Sequence, residues 1–341
     1  MAALTVPHAR WRLLYAGKDI TAELAPSILE ISYNDHLQGE SDELEVSLED
    51  RDQRFKSSWF PTRGDKLHLA IGYAGEKLHP IGAFEIDEVE FSGPPDEVRM
   101  RALAAGVKEA LRTDLTNAYE GRTLRQIAEE VAGRNGLDLI GSGKAPKRQY
   151  RRVTQHEESD LAFLNRLGRD DGITFSIKDG RLIWHDQELL NAADTVLVVR
   201  RTQVGTFRFS ANTATTYKAC SVMYHDPVTK ALIWAEEVFA EAAGGDTLKL
   251  TERCEDAEQA QGKAKAGLKA ANTRTVDGGL TMVGDPRLRA GVNIEVQGFH
   301  RLDGRYQIKT AKHVLDRRGG YRTEVEIASL DGITSLDGMK K

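Results

Sequence analysis

From Trp11 to Ala102 the apolar residues recur at every second position: Trp11/Leu13/Tyr15, Leu29/Ile31/Tyr33, Leu44/Val46/Leu48, Leu67/Leu69/Ile71 and Phe84/Ile86. Alternation of this kind lines one face of a strand. In the third run Glu45, Ser47 and Glu49 take the opposite face, as in an antiparallel sheet with one side in water. Residues 1–115 therefore predict a first β-barrel-like domain.

The period changes after that. Thr123-Leu-Arg-Gln126 is a capping box opening a helix with Leu124, Ile127, Ala128 and Val131 on one stripe, stopped by Gly136. Ser159 caps a second helix with Phe163, Leu164 and Leu167 on its buried side, ending at Asp171-Gly172. A hairpin follows, Ile173 to Lys178, the turn Asp179-Gly180, then Arg181 to Trp184. The two-residue turn pairs Ile177 with Leu182 and Phe175 with Trp184. Residues 116–200 read as a small α+β insert of two helices and a hairpin.

Strands return near Thr202, with Phe207/Phe209, Cys220/Val222/Tyr224 and the run Leu232 to Val238. A helix around Asp256 to Ala271 buries Ala257, Ala260, Ala264 and Leu268, and its small residues allow close packing on a sheet. The last hairpin turns at Arg317-Arg318-Gly319-Gly320. Residues 201–335 form a second barrel-like domain with one helix, and 336–341 are a frayed tail.

One pattern occurs twice. Gly64 to Tyr73, Gly82-Ala-Phe84-Glu-Ile86 and Val98 to Ala102 are echoed by Gly291 to Phe299, Gly304-Arg-Tyr306-Gln-Ile308 and Val325 to Ala328. Each copy has an alternating strand, a turn, a strand opening Gly-x-aromatic-x-Ile and a return strand. The fold class is thus α+β, mainly β: two related antiparallel β-barrel-like domains with the insert between them. Two similar units in one polypeptide suggest a building block more than a catalyst.

Composition narrows the class further. At 341 residues the chain exceeds a single core and is multidomain. With 29% charged and 40% hydrophobic residues it is globular, and its formal charge of -5 gives no general attraction to nucleic acid or anionic lipid. Cys220 and Cys254 lack CxxC spacing, so no zinc site or disulfide framework is indicated, and Cys220 reads as a small buried hydrophobe. With no long apolar run and no basic-then-apolar leader, the product is expected to stay in the cytoplasm or leave without signal-peptide cleavage.

The stretch Gly82-Ala-Phe84-Glu-Ile86-Asp87-Glu88-Val89-Glu90-Phe91-Ser92-Gly93-Pro94-Pro95-Asp96 resembles the phage late control gene D family. These are baseplate hub proteins of contractile tails of the P2 and Mu type and of R-type pyocins, similar to the base of type VI secretion spikes. Glu158-Ser-Asp-Leu-Ala-Phe-Leu164, the Asp179-Gly-Arg-Leu182 hairpin, and Gly304-x-Tyr306-x-Ile308 leading to His313 resemble it too, in the family's order. The resemblance implies a homotrimeric structural hub without cofactor or metal. Three chains of two related domains would present a pseudo-sixfold ring to the tail tube, or a tube initiator, and a threefold end to the central spike. Baseplate wedge and tape-measure proteins are further partners it allows; specific nucleic acid and stable membrane association are not expected. Assembly in the bacterial cytoplasm and release by lysis, in a phage or a tailocin, would follow.

The subunit surface is expected on strand edges and loops around Asp87 to Asp96 and Leu315 to Tyr321, with Phe84, Ile86, Asp87, Phe91, Tyr306, Ile308, His313 and Tyr321 as candidates. Other constellations read more blandly. Gly141-Ser-Gly-Lys144 fails as a P-loop, having Asp138 for the first Gly and Ala145 for the Ser/Thr. The acid pairs Glu157-Glu158 and Asp170-Asp171 flank a helix, where solvated helix ends explain them better than a muramidase centre. No HExxH or Gly-x-Ser-x-Gly occurs. The basic stretch Lys144 to Arg152 reads as a solvated loop or a contact with an acidic subunit, and Tyr150 as a stacking residue only if nucleic acid binds. Two rivals stay open: a hub with embedded cell-wall hydrolase activity, and a carbohydrate-binding β-protein.

Overall fold

The computed structural model describes residues 8–38, 41–106, 113–141, 143, 146–211, 217–225, 230–238, 245–251, 254, 256–273, 276–317 and 320–330. Three expected features lie wholly or partly outside them: Ser142, Lys144 and Ala145 of the glycine-rich and basic stretch, the Arg318-Gly319 turn, and the tail after Leu330.

The N-terminal alternation forms β1 (Ala9–Tyr15), β2 (Lys18–Asp19), β3 (Ile28–His36), β4 (Glu43–Glu49), β5 (Lys66–Tyr73), β6 (His79–Ser92) and β7 (Glu97–Ala104). Leu13, Ile31, Leu44, Val46, Leu48, Leu67 and Ile71 are fully buried in one core, so the period-two pattern faces inward as its spacing requires. The strands lie in the order β3-β4-β7-β6-β5-β1.

In the middle stand β8 (Leu115–Thr123), β9 (Asp138–Gly141), β10 (Gln149–Glu158), β11 (Ile173–Lys178) and β12 (Arg181–Asp186). The helix Leu124–Asn135 starts at the Thr123/Gln126 capping box and stops at a left-handed Gly136. The helix Asp160–Arg169 is capped by Ser159. The β11–β12 register is the expected one, Ile177 opposite Leu182 and Phe175 opposite Trp184, with both turn residues at positive φ. Both helices cover the β11–β12–β9 sheet with a shared apolar core. One reading is corrected: in the basic stretch residues 146–148 are loop, and from Gln149 it is strand β10, paired antiparallel with β8. Charged residues outnumber apolar ones along this exposed ribbon, which masks its alternation.

The C-terminal part contains β13 (Thr195–Arg200), β14 (Val204–Ala211), β15 (Ala219–His225), β16 (Leu232–Val238), β17 (Thr247–Leu250), β18 (Val276–Val283), β19 (Asn293–Gln297), β20 (Gly304–Asp316) and β21 (Gly320–Ser329). Strands β15 to β17 leave the main sheet and pack under the helix Ala257–Thr273 with Cys220, Val222, Ala260, Ala264 and Leu268 buried. Ala257, expected on that buried stripe, is exposed at the first turn.

The remaining strands repeat the first unit. Their order is β14-β18-β21-β20-β19-β13, position for position with β3-β4-β7-β6-β5-β1. Irregularities recur as well: a bulge after Ile86 against β7 matches one after Ile308 against β21, and a bulge between Ile28 and Glu30 matches one between Val204 and Thr206. Gly64 N–H donates to the Ile86 carbonyl at 2.7 Å, and Gly291 N–H to the Ile308 carbonyl at 2.8 Å. Bulges bend a strand and fix its register, so two shared bulges mark two copies of one built unit. The copies differ at the end of the alternating strand: β5 runs on to Tyr73, while β19 stops at Gln297. They differ also in that β1 is antiparallel to β5 and β13 parallel to β19.

Among the described residues the strand paths are open, without barrel closure. The outer edge of β3 pairs with the far half of β20, from Thr310 opposite His36 to Asp316 opposite Glu30. This seam fuses both units into one 13-stranded sheet.

Candidate assembly interface

The seam shows what the candidate residues do. Phe84 and Ile86 are buried in the first core, and Tyr306 and Ile308 occupy the equivalent positions in the second. His313 is 0% exposed and stacks on Tyr33 across the seam, ring centroids 5.9 Å apart. Its Nε2 lies 3.0 Å from the Leu288 carbonyl, which can only accept, so Nε2 carries the proton and Nδ1 accepts from the Tyr321 hydroxyl at 2.9 Å. Burial pushes the imidazole down to about 4, so it is neutral at pH 7. These six side chains have no surface left for a second chain. They shape the cores and the internal joint.

Three parts of the chain meet beside this joint. Lys178 at the β11–β12 hairpin reaches Asp42 at 3.0 Å and also Asp35, and Asp35 accepts from the Ala290 backbone at 3.0 Å. Burial alone would lower the ammonium's pKa, but the two carboxylates more than offset it and hold Lys178 above its ordinary value. Burial raises Asp42. At the turn, Asp179 accepts from Ala83 N–H at 2.9 Å and Gly180 N–H donates to the Ala105 carbonyl at 2.8 Å. None of these contacts shows in a pattern of single residues, because each joins segments far apart in sequence.

Asp87 and Phe91 are placed differently. Asp87 pairs with Arg63 at 3.3 Å at the β6 bulge. From Glu88 to Ser92, β6 pairs with β7 on one side only, with no strand on the other among the described residues. Leu315 and Tyr321, from the matching segment of the second copy, are buried against the first core. At the opposite end of the sheet β14 pairs, among the described residues, only with β18, and Phe207 there is 47% exposed. Long exposed strand edges with aromatics are templates for pairing, and the alternation Phe207/Phe209 alone does not mark β14 as such an edge.

The other constellations are internally matched. Glu158 holds Arg166 at 2.5 Å, Asp171 holds Arg148 at 3.2 Å and Asp170 holds Lys263 at 3.3 Å. Tyr150 is buried under the Arg148 guanidinium, 4.9 Å from its ring centroid, and has no open face on which a base could stack. Among the described residues no group of His, Cys, Asp or Glu could hold a metal ion, and no helix is long and apolar enough to cross a membrane.

Fold and edges together define a duplicated β-scaffold whose open chemistry is backbone edge. A family model described as "Phage tail baseplate hub (GPD)" matches residues 96–318. The chain belongs to the phage tail baseplate hub family. It is 30% identical over 168 residues to the "Probable baseplate hub protein" of Escherichia phage 186, covering 49% of this chain and 42% of that protein, so it matches less than half of the relative's length. The fold is similar to the 43 kDa tail protein of prophage MuSo2 from Shewanella oneidensis, with TM-score 0.71, 14% identity, and 94% and 98% of the two chains covered. It is also similar to the Escherichia coli c3393 protein, a component of the type VI secretion system, with TM-score 0.59, 15% identity, and 90% and 75% covered.

Proposed function

We propose that this chain is a non-enzymatic baseplate hub, a homotrimer whose six related strand units ring the tail axis and join a sixfold tail tube to a threefold central spike. The observation that carries it is the duplication itself, complete to strand order and two bulges. A sixfold surface and a threefold one share no interface unless the adapter between them is internally doubled. Family membership supports the hub role. The recognition chemistry is strand edge and apolar face, with neither cofactor nor metal. Assembly takes place in the bacterial cytoplasm, before incorporation into a phage or tailocin particle.

The test is simultaneous capture. Immobilised spike protein of the same particle retains the hub, and the hub then retains tube protein, giving one complex of all three. Tube protein that displaces spike, or binding of neither, contradicts the adapter reading. A zymogram on cell walls with the pure chain should show no clearing; a clear band would restore the hydrolase reading.

A further inference from the structure

The open edges of β6 and β14 are the counterparts of the two halves of the seam that the chain already makes with itself. Alignment through the bulges sets Ile308 against Ile86, hence Ala311 against Val89, His313 against Phe91 and Val314 against Ser92. The other pair of bulges sets Val204 against Ile28, hence Phe207 against Ile31, Arg208 against Ser32, Phe209 against Tyr33 and Ala211 against Asp35. Inside the chain, the β20 side of this alignment is paired with the β3 side: Ala311 with Asp35, His313 with Tyr33, Val314 with Ser32. The counterparts on β6 and β14 each lack a strand neighbour on that side among the described residues, and the Phe91 ring there stacks on Phe60 at 5.6 Å.

We infer that β6 of one copy pairs antiparallel with β14 of the next, in the register of the internal seam: Val89 with Ala211, Glu90 with Ser210, Phe91 with Phe209, Ser92 with Arg208. The occupant of each edge is a second copy of this chain. The inference rests on the ring reading above and names the seam between subunits.

Chemistry on the two edges agrees. Glu88 and Glu90 line the exposed face of β6 and Arg208 the exposed face of β14, and the inferred register sets Arg208 diagonal to Glu90, within reach for an ion pair. Glu90 already has Arg99 at 3.3 Å, so Arg208 adds a second cation to a carboxylate that is still exposed. On the other face Phe91 meets Phe209 where the internal seam stacks His313 on Tyr33. Aromatic cross-strand pairs are among the more stabilising ones. Phe209 already packs on Phe299 and Tyr306, with centroids at 5.2 and 5.9 Å, which holds its ring for a partner. The contact joins unlike edges, so it propagates head to tail, and the proposed threefold rotation closes it as a ring.

Paired cysteines read the register directly. Phe91→Cys with Phe209→Cys in the full chain, under mild copper-catalysed oxidation, should give disulfide-linked dimers and trimers. Phe91→Cys with Arg208→Cys, one residue out of register and on opposite faces, should give at least about tenfold less. The native Cys220 and Cys254 are buried and do not compete. Val89→Cys with Ala211→Cys, which leaves both phenylalanines in place, should cross-link like the first pair. If sedimentation shows a three-chain ring but neither in-register pair links above the out-of-register control, this seam is wrong and the hub reading stands. If the chain stays monomeric even with its spike partner, both fall.

Discussion

His313 and Lys178 show how single residues hold the units together. A neutral imidazole bonded on both nitrogens is stable only while unprotonated, and its folded value of about 4 lies below the ordinary 6.5. The unfolded chain therefore binds the proton first, and stability present above pH 6.5 is lost as the pH falls toward 4, by up to about 3 kcal/mol. Urea midpoints measured across that window should fall for the native chain and fall less for His313→Gln; parallel slopes would contradict the assignment. Lys178→Met leaves Asp35 and Asp42 without their cation. It should cost roughly 3 kcal/mol of unfolding free energy, since removing one partner strands buried charge; a loss under about 1 kcal/mol in chemical denaturation would show that the carboxylates have other compensation.

At the scale of elements, the β11–β12 hairpin is a clamp as well as a local fold. Asp179→Ala removes the acceptor for Ala83 N–H and should cost about 1–2 kcal/mol, with faster amide exchange at Ala83. Unchanged exchange there would mean that the turn does not hold β6. The helices at Thr123 and Ser159 and the hairpin register were legible in the sequence because caps and two-residue turns are local chemistry. The Gly82-x-Phe84-x-Ile86 and Gly304-x-Tyr306-x-Ile308 echo was legible for the same reason. What was not legible is long-range. Nothing in Ile31-Ser32-Tyr33 and Phe207-Arg208-Phe209 declares them equivalent; the match appears only once both bulges are seen. The interface candidates show the same limit: a motif strong enough to be recognised from residues is mostly core, as Phe84, Tyr306 and Ile308 are, while the open edges of β6 and β14 carry weaker signals.

The molecule as a whole is two copies of one strand unit fused by a seam, with the middle α+β part clamped over the joint through Lys178 and Asp179. Each copy has a fused edge, and in each the counterpart of the other copy's fused edge is open; the inferred seam pairs these two open edges. On the proposed reading a chain of this design closes with others of its kind, as an adapter between sixfold and threefold partners requires. The most direct measurement is the stoichiometry and symmetry of the assembled hub: native mass together with electron-microscopy class averages, taken with and without the spike. Three chain masses and a ring of six alternating lobes are predicted. A monomer or an isologous dimer that persists in the presence of the spike would contradict the account.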